Sequence, residues 1–162
     1  MKKYSPLIAA VFLGAALAGP LPGSMPYNES ADAKAELQHA VIDAERSHVP
    51  VLVIFGANWC EDCRALDRAL GEGKNAELMA RSFKVVKIDV GHFDRNLDLA
   101  TTYGNPIKKG IPAVVLLADN HVVFATRAGE LADARRMSET GIYDFFVRAA
   151  NAAQATRKSP SQ

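Results

Sequence analysis

Residues 51–70 read VLVIFGANWCEDCRALDRAL. Val51 to Phe55 is an unbroken run of strand formers without polar alternation, the pattern of a central strand buried on both faces. Gly56-Ala57-Asn58 supplies the turn that leaves it. A helix is expected from near Cys60, with Leu66, Ala69 and Leu70 on its inner face. The only two cysteines of the chain, Cys60 and Cys63, therefore fall where a buried strand hands over to a helix.

The flanking segments extend this strand–helix pattern. Upstream, Leu37, Ala40, Val41 and Ala44 recur at helical spacing and predict a helix over 30–47, capped by Asn28 or Ser30 and closed by Pro50. Downstream, Gly71-Glu72-Gly73 interrupts the second helix, and Ala76 to Ser82 adds another turn or two. Phe83 to Val90 is the next strand, with Val85, Val86, Ile88 and Val90 as its apolar members. Asp94 to Tyr103 is expected to be helical, with Leu97, Ala100 and Tyr103 facing inward, and Gly104-Asn105-Pro106 ends it. Ala113 to Leu117 is a third apolar strand. Asp119-Asn120 turns it into Val122 to Ala125 as an antiparallel hairpin. Glu130 to Met137 reads either as a helical connection or as coil. Ile142, Phe145, Phe146, Ala149 and Ala150 predict a C-terminal helix. The order implies an α/β fold: one mixed sheet of about four to five strands with helices on both faces.

Before this domain stands a different kind of segment. Lys2 and Lys3 precede an apolar run from Leu7 to Ala18, and Ala16-Leu17-Ala18 places small residues where a signal peptidase reads. This is the three-part pattern of a secretory signal peptide. The run falls short of the roughly 20 residues that cross a bilayer as a helix. An uncleaved anchor is the other reading. The expected organisation is a signal peptide over 1–18, a Pro- and Gly-rich linker over 19–28, the domain over 29–152 and a disordered tail over 153–162. The lysine head and short run are of bacterial type and imply a periplasmic location.

Composition narrows the partners. Of 162 residues, 19 are basic and 18 acidic, and no basic face is clustered as a nucleic-acid binder requires. Lys108-Lys109 and Arg135-Arg136 read as solvated doublets. The apolar content is enough for one domain to bury a core of its own, and a monomer is expected.

The Cys60-Glu61-Asp62-Cys63 pair carries the chemistry. A thiolate, not a thiol, attacks a disulfide. The first turn of a helix offers free N–H groups and positive dipole, which stabilise that anion. The spacing sets the second sulfur one turn away, where it can attack the mixed disulfide and release the partner. A purely structural disulfide is the first alternative, but closing so small a loop contributes only about 2 kcal/mol, against roughly 4.7 for a 100-residue loop. A metal site is the second. Structural zinc needs four ligands, no second cysteine pair exists, and His92 and His121 lie far off in sequence. The chemistry needs no organic cofactor and no metal.

The Trp-Cys-x-x-Cys core of residues 51–70 resembles the active-site strand and helix of the thioredoxin superfamily. Tyr103-Gly104 followed by Gly110-Ile111-Pro112 resembles that family's second mark. The resemblance spans roughly Ser30 to Ala150 and is closer to small exported bacterial members than to cytosolic thioredoxin. It implies a cis Ile111–Pro112 bond, Pro112 packed against the cysteines, and an Ile111 backbone that pairs with an extended substrate segment. Trp59 is expected to shield the nucleophile and contact the partner.

Three departures from the family pattern matter. Cytosolic members carry a buried aspartate at the position matching Ile54, where it assists proton transfer at the resolving thiol. Here Cys63 needs another base or water, with Glu61 and Asp62 as candidates. Glu-Asp replaces the usual Gly-Pro between the cysteines, and two negative charges beside Cys60 oppose its ionisation. Gly56 stands where many members have a further tryptophan, which is expected to open space beside Trp59.

The function expected is thiol–disulfide exchange with disulfide-containing or dithiol proteins, Cys60 attacking and Cys63 resolving. The reducing direction is expected, because a less acidic Cys60 goes with a lower potential. Such a reductase implies a membrane thiol-transfer electron donor. The alternatives are a copper-binding metallochaperone of the same fold and a redox-inactive binding module.

Overall fold

The computed structural model describes residues 25–158. The expected signal peptide and the first part of the linker lie outside the described residues, as do the last four residues of the chain. The elements are α1 (Ala33–Ser47), β1 (Val51–Gly56), α2 (Glu61–Leu70), α3 (Gly73–Ser82), β2 (Lys84–Asp89), α4 (Leu97–Thr102), β3 (Ala113–Ala118), β4 (His121–Ala125) and α5 (Glu139–Lys158). Short 3-10 turns at Pro106–Lys109 and Ala134–Arg136 precede β3 and α5.

The four strands form one mixed sheet in the order β2-β1-β3-β4. β1 pairs parallel with β2 and antiparallel with β3, and β3 with β4 forms the expected hairpin. Every residue of β1 and β3 is buried, because these two inner strands are covered on both faces. Alternate side chains go to opposite sides. Val51, Val53 and Phe55 pack with Leu37 of α1 and with Leu99 and Ala100 of α4. Leu52 and Ile54 pack with Leu66 and Leu70 of α2, Leu78 of α3 and Phe146 of α5. The apolar run read from the sequence thus supplies two cores at once.

Several boundaries differ from expectation. Helix α1 is capped by Asp32, whose carboxylate accepts the Ala35 N–H at 3.1 Å. Asn28 instead accepts from the backbone and hydroxyl of Ser30 in a tight turn. The chain does break after Leu70 at Gly71-Glu72, but Gly73 already opens α3, so α3 runs 10 residues rather than the one or two turns expected from Ala76. Helix α4 is shorter than expected, and Leu97 is exposed at its first position while Leu99 and Ala100 face the core. Val85 is likewise exposed, as β2 is an edge strand.

The domain also outruns its expected limits at both ends. Tyr27, assigned to the linker, is buried in the core beside β1. At the other end α5 continues to Lys158 and buries Ala153, so the tail expected over 153–162 begins inside a helix.

Candidate active site

β1 ends at Gly56, and the turn Ala57-Asn58-Trp59 delivers Cys60 to the N-cap of α2. Cys60 has extended backbone angles (φ −75°, ψ 114°), and its Sγ accepts the Cys63 N–H at 3.1 Å. A sulfur takes the place that an Asp or Ser oxygen fills in an ordinary cap. Cys60 and Cys63 are joined by a disulfide, with Cα atoms 5.2 Å apart, inside the usual range. Cys60 is 6% exposed and Cys63 1%, so an incoming partner meets Cys60 first.

The second half of the site comes from the segment before β3. The Ile111–Pro112 peptide bond is cis, as the resemblance implied. Gly110 precedes it with φ 116°, a conformation open to glycine and strained for other residues. The Ile111 carbonyl oxygen lies 3.6 Å from Cys60 Sγ. A disulfide sulfur has no proton to donate; once reduced, the Cys60 thiol has that carbonyl as its acceptor.

Trp59 is 47% exposed beside this pair. Its indole donates to the Gly91 carbonyl at 2.7 Å, and its ring stacks on His92 with centroids 5.2 Å apart. Phe93 meets the indole edge-on and is itself exposed. The tryptophan is therefore a pinned surface aromatic next to Cys60 in the chain, not core filling. His92, weighed as a metal ligand, is the partner of that stack. Among the described residues no three His, Cys, Asp or Glu side chains come together as metal ligands would.

Glu61 and Asp62 are not free solvated acids. Arg135 pairs with the Glu61 carboxylate, and its backbone N–H donates to Asp62 Oδ1 at 3.0 Å. Its Nε is 3.7 Å from the same Asp62 oxygen. One positive charge thus stands against the two negative charges beside Cys60, and the opposition to thiolate formation is weaker than the sequence implied. Arg64 adds a second guanidinium near the turn, donating to the Asn58 carbonyl at 2.6 Å. The doublet Arg135-Arg136, read as solvated, divides: Arg135 serves the site, while Arg136 pairs locally with Asp133.

The space expected beside Trp59 at Gly56 is filled. A Cβ on Gly56 would overlap the Tyr27 hydroxyl, with Cys63 Sγ 3.1 Å away. Tyr27 is held there by Asn58, which accepts the Tyr27 N–H at 2.9 Å and donates to the Tyr27 carbonyl at 2.8 Å. Tyr27, Asn58 and Arg135 are the site residues that sequence reasoning missed. A lone large aromatic in a Pro- and Gly-rich stretch was the one available hint for Tyr27. Arg135 lies 73 residues from Asp62 and carries no local signal.

Comparison with known proteins agrees with this geometry. A thioredoxin-like family profile matches residues 32–118. Thioredoxin C-2 of Corynebacterium nephridii is 38% identical over 86 residues, which is 53% of this chain and 69% of that protein. The thioredoxin of Pseudomonas aeruginosa is 33% identical over 93 residues, 55% of this chain and 74% of its own length. The crystal structure of a disulphide isomerase from Xylella fastidiosa Temecula1 superposes with a TM-score of 0.77 at 54% identity, covering 78% of this chain and 97% of that one. A profile match over more than half of the chain, and a relative covered for more than two thirds of its length, establish that this chain belongs to the thioredoxin-like family.

Proposed function

We propose that this thiol–disulfide oxidoreductase exchanges disulfides with protein partners, with Cys60 attacking and Cys63 resolving. The observation that carries the reading is the Cys60–Cys63 disulfide at the start of α2, with the more exposed sulfur at the cap. In the reduced protein the Cys60 thiolate accepts N–H donors at the helix start and attacks a partner disulfide. One partner sulfur leaves with the electron pair and takes a proton from water. Cys63 then attacks Cys60, and the second partner sulfur leaves in the same way. The Ile111 backbone and the exposed Trp59 ring offer the partner segment an edge and an apolar platform, with Pro112 directly after Ile111 in the chain.

Net reduction is the direction favoured. Glu61 and Asp62 stand directly between the cysteines in the chain, and their charge, offset in part by Arg135 and Arg64, disfavours the reduced form relative to a pair without acids. Net reduction in an oxidising compartment needs electrons from a membrane thiol-transfer protein. The basic head and apolar run of residues 2–18 support a periplasmic location. Isomerisation is a second reading, supported by the likeness to the Xylella fastidiosa disulphide isomerase. It uses the same first attack, after which a thiol of the partner displaces Cys60 and no net electrons pass.

A Cys63→Ser variant tests the exchange itself. It removes the escape route, so covalent adducts on Cys60 should accumulate and dissolve with dithiothreitol. An empty trap, with Cys60 reduced and reactive, would sink the proposal. Insulin reduction against recovery of a scrambled, disulfide-rich protein then separates net reduction from isomerisation.

A further inference from the structure

Beside the cysteines, on the face of α2 turned to the sheet, stands a polar group that the exchange mechanism above does not use. Tyr27 enters from the segment before α1, and its backbone is tied at both polar groups to Asn58 in the turn that presents Cys60. Its ring reaches over the end of β1 because Gly56 carries no side chain. The hydroxyl occupies the volume of the missing Cβ, and the Cys63 sulfur flanks the same point. Tyr27 is 3% exposed and Cys63 1%, so bulk water reaches neither freely.

The other groups around them come from three elements. Tyr27, Cys63, Asp67 of α2 and Lys87 of β2 line one narrow cleft, closed by Ile54 and Leu66. Asp67 and Lys87 are paired with each other. Asp89, opposite Gly56 in the β1–β2 register, is buried and faces Arg95 of the following loop at 3.6 Å. The remaining lining is apolar. A thiolate on Cys63 in such a place is costly unless a donor reaches it.

We propose that the Tyr27 hydroxyl donates a hydrogen bond to the Cys63 sulfur in the reduced protein and in the mixed disulfide, holding it as the thiolate that attacks Cys60. The inference rests on the resolving role given to Cys63 above. Burial, and then the carboxylates of Asp67 and Asp89, push the Tyr27 phenol well above the usual tyrosine range. It therefore remains a donor wherever the exchange runs. In the step it serves, Cys63 loses its proton to water and its sulfur forms the bond to Cys60. The bond between Cys60 and the partner sulfur breaks, and that sulfur leaves with the electron pair and takes a proton from water. Tyr27 keeps its own proton throughout.

The test uses the full chain with Cys60→Ser, so that Cys63 is the one thiol, and follows its ultraviolet thiolate absorbance against pH. Adding Tyr27→Phe should move the midpoint up by about one to two pH units, the size expected for one hydrogen bond to an anion. In the chain with both cysteines, Tyr27→Phe should lengthen the life of the mixed disulfide about tenfold near neutrality while leaving the rate of its formation by Cys60 within about twofold. Coincident titrations with and without the hydroxyl overturn the proposal. Should Tyr27→Phe fail to give a cooperative unfolding curve, Asn58→Ala decides. Releasing the clamp should move the Cys63 midpoint the same way, and an unmoved midpoint overturns the proposal. Insulin reduction by the unaltered chain keeps the two ideas apart. A chain that reduces insulin but shows no tyrosine effect loses this inference alone, and one that never reduces insulin loses the exchange reading itself.

Discussion

Gly56→Ala is the substitution through which the seat of Tyr27 can be measured. The added methyl would overlap the Tyr27 hydroxyl and stand 3.1 Å from Cys63 Sγ. Two responses are open. Ejecting the ring forfeits a buried aromatic, about 2–3 kcal/mol, and strains the two hydrogen bonds to Asn58 at about 1 kcal/mol each. Shifting the strand end and the ring by a fraction of an ångström costs about 1–3 kcal/mol, as overpacking generally does. The smaller cost wins, so Gly56→Ala should destabilise by about 1–3 kcal/mol and lower Tm by roughly 3–10 °C. The same change made on a Tyr27→Ala background should cost less than about 0.5 kcal/mol, because only the sulfur remains to be accommodated. The assay is thermal and denaturant unfolding of the four proteins under oxidising conditions, with the disulfide intact in each. Equal costs in the two backgrounds would mean that the hydroxyl does not occupy the Gly56 volume, and would refute this account of the site.

Further outcomes follow from other parts of the structure. Arg135→Ala should leave Glu61 and Asp62 uncompensated and raise the Cys60 titration on the order of half a pH unit, an effect that shrinks with added salt; thiolate absorbance of a Cys63→Ser background measures it. Leu66→Ala, at a fully buried position of α2, should cost about 2–5 kcal/mol in denaturant unfolding, with a cost below 1 contradicting the packing described. Stability should fall as pH rises above about 10, because the unfolded chain releases the Tyr27 proton while the folded chain retains it. Tyr27→Phe should remove that part of the alkaline loss, and an unchanged slope above pH 10 in the variant would count against the burial of the phenol.

What could be read directly from the residue order was what depends on near neighbours. Val51 to Phe55 reads as a doubly buried strand because five consecutive positions without polar side chains have no solvent-facing alternative, and both faces of β1 are indeed covered. The CxxC spacing at a strand-to-helix junction placed Cys60 at the cap and Cys63 one turn on, since helical geometry is local. The helical period from Ile142 to Ala150 marked α5, although its actual end lies further along, because Ala153 is buried by contacts with other elements. The cis bond before Pro112 came from family resemblance rather than from spacing.

Tertiary structure decided the rest, and always through groups distant in sequence. The charge beside Cys60 depends on Arg135, which the fold delivers from a short turn before α5. The room at Gly56 depends on Tyr27, which the residue pattern assigned to a linker and which Asn58 pins from 31 residues away. Propensity and periodicity report how each segment buries its own apolar side chains. Which polar group ends beside which sulfur is settled when helices from separate parts of the chain pack on one sheet, and that information is written in no single segment.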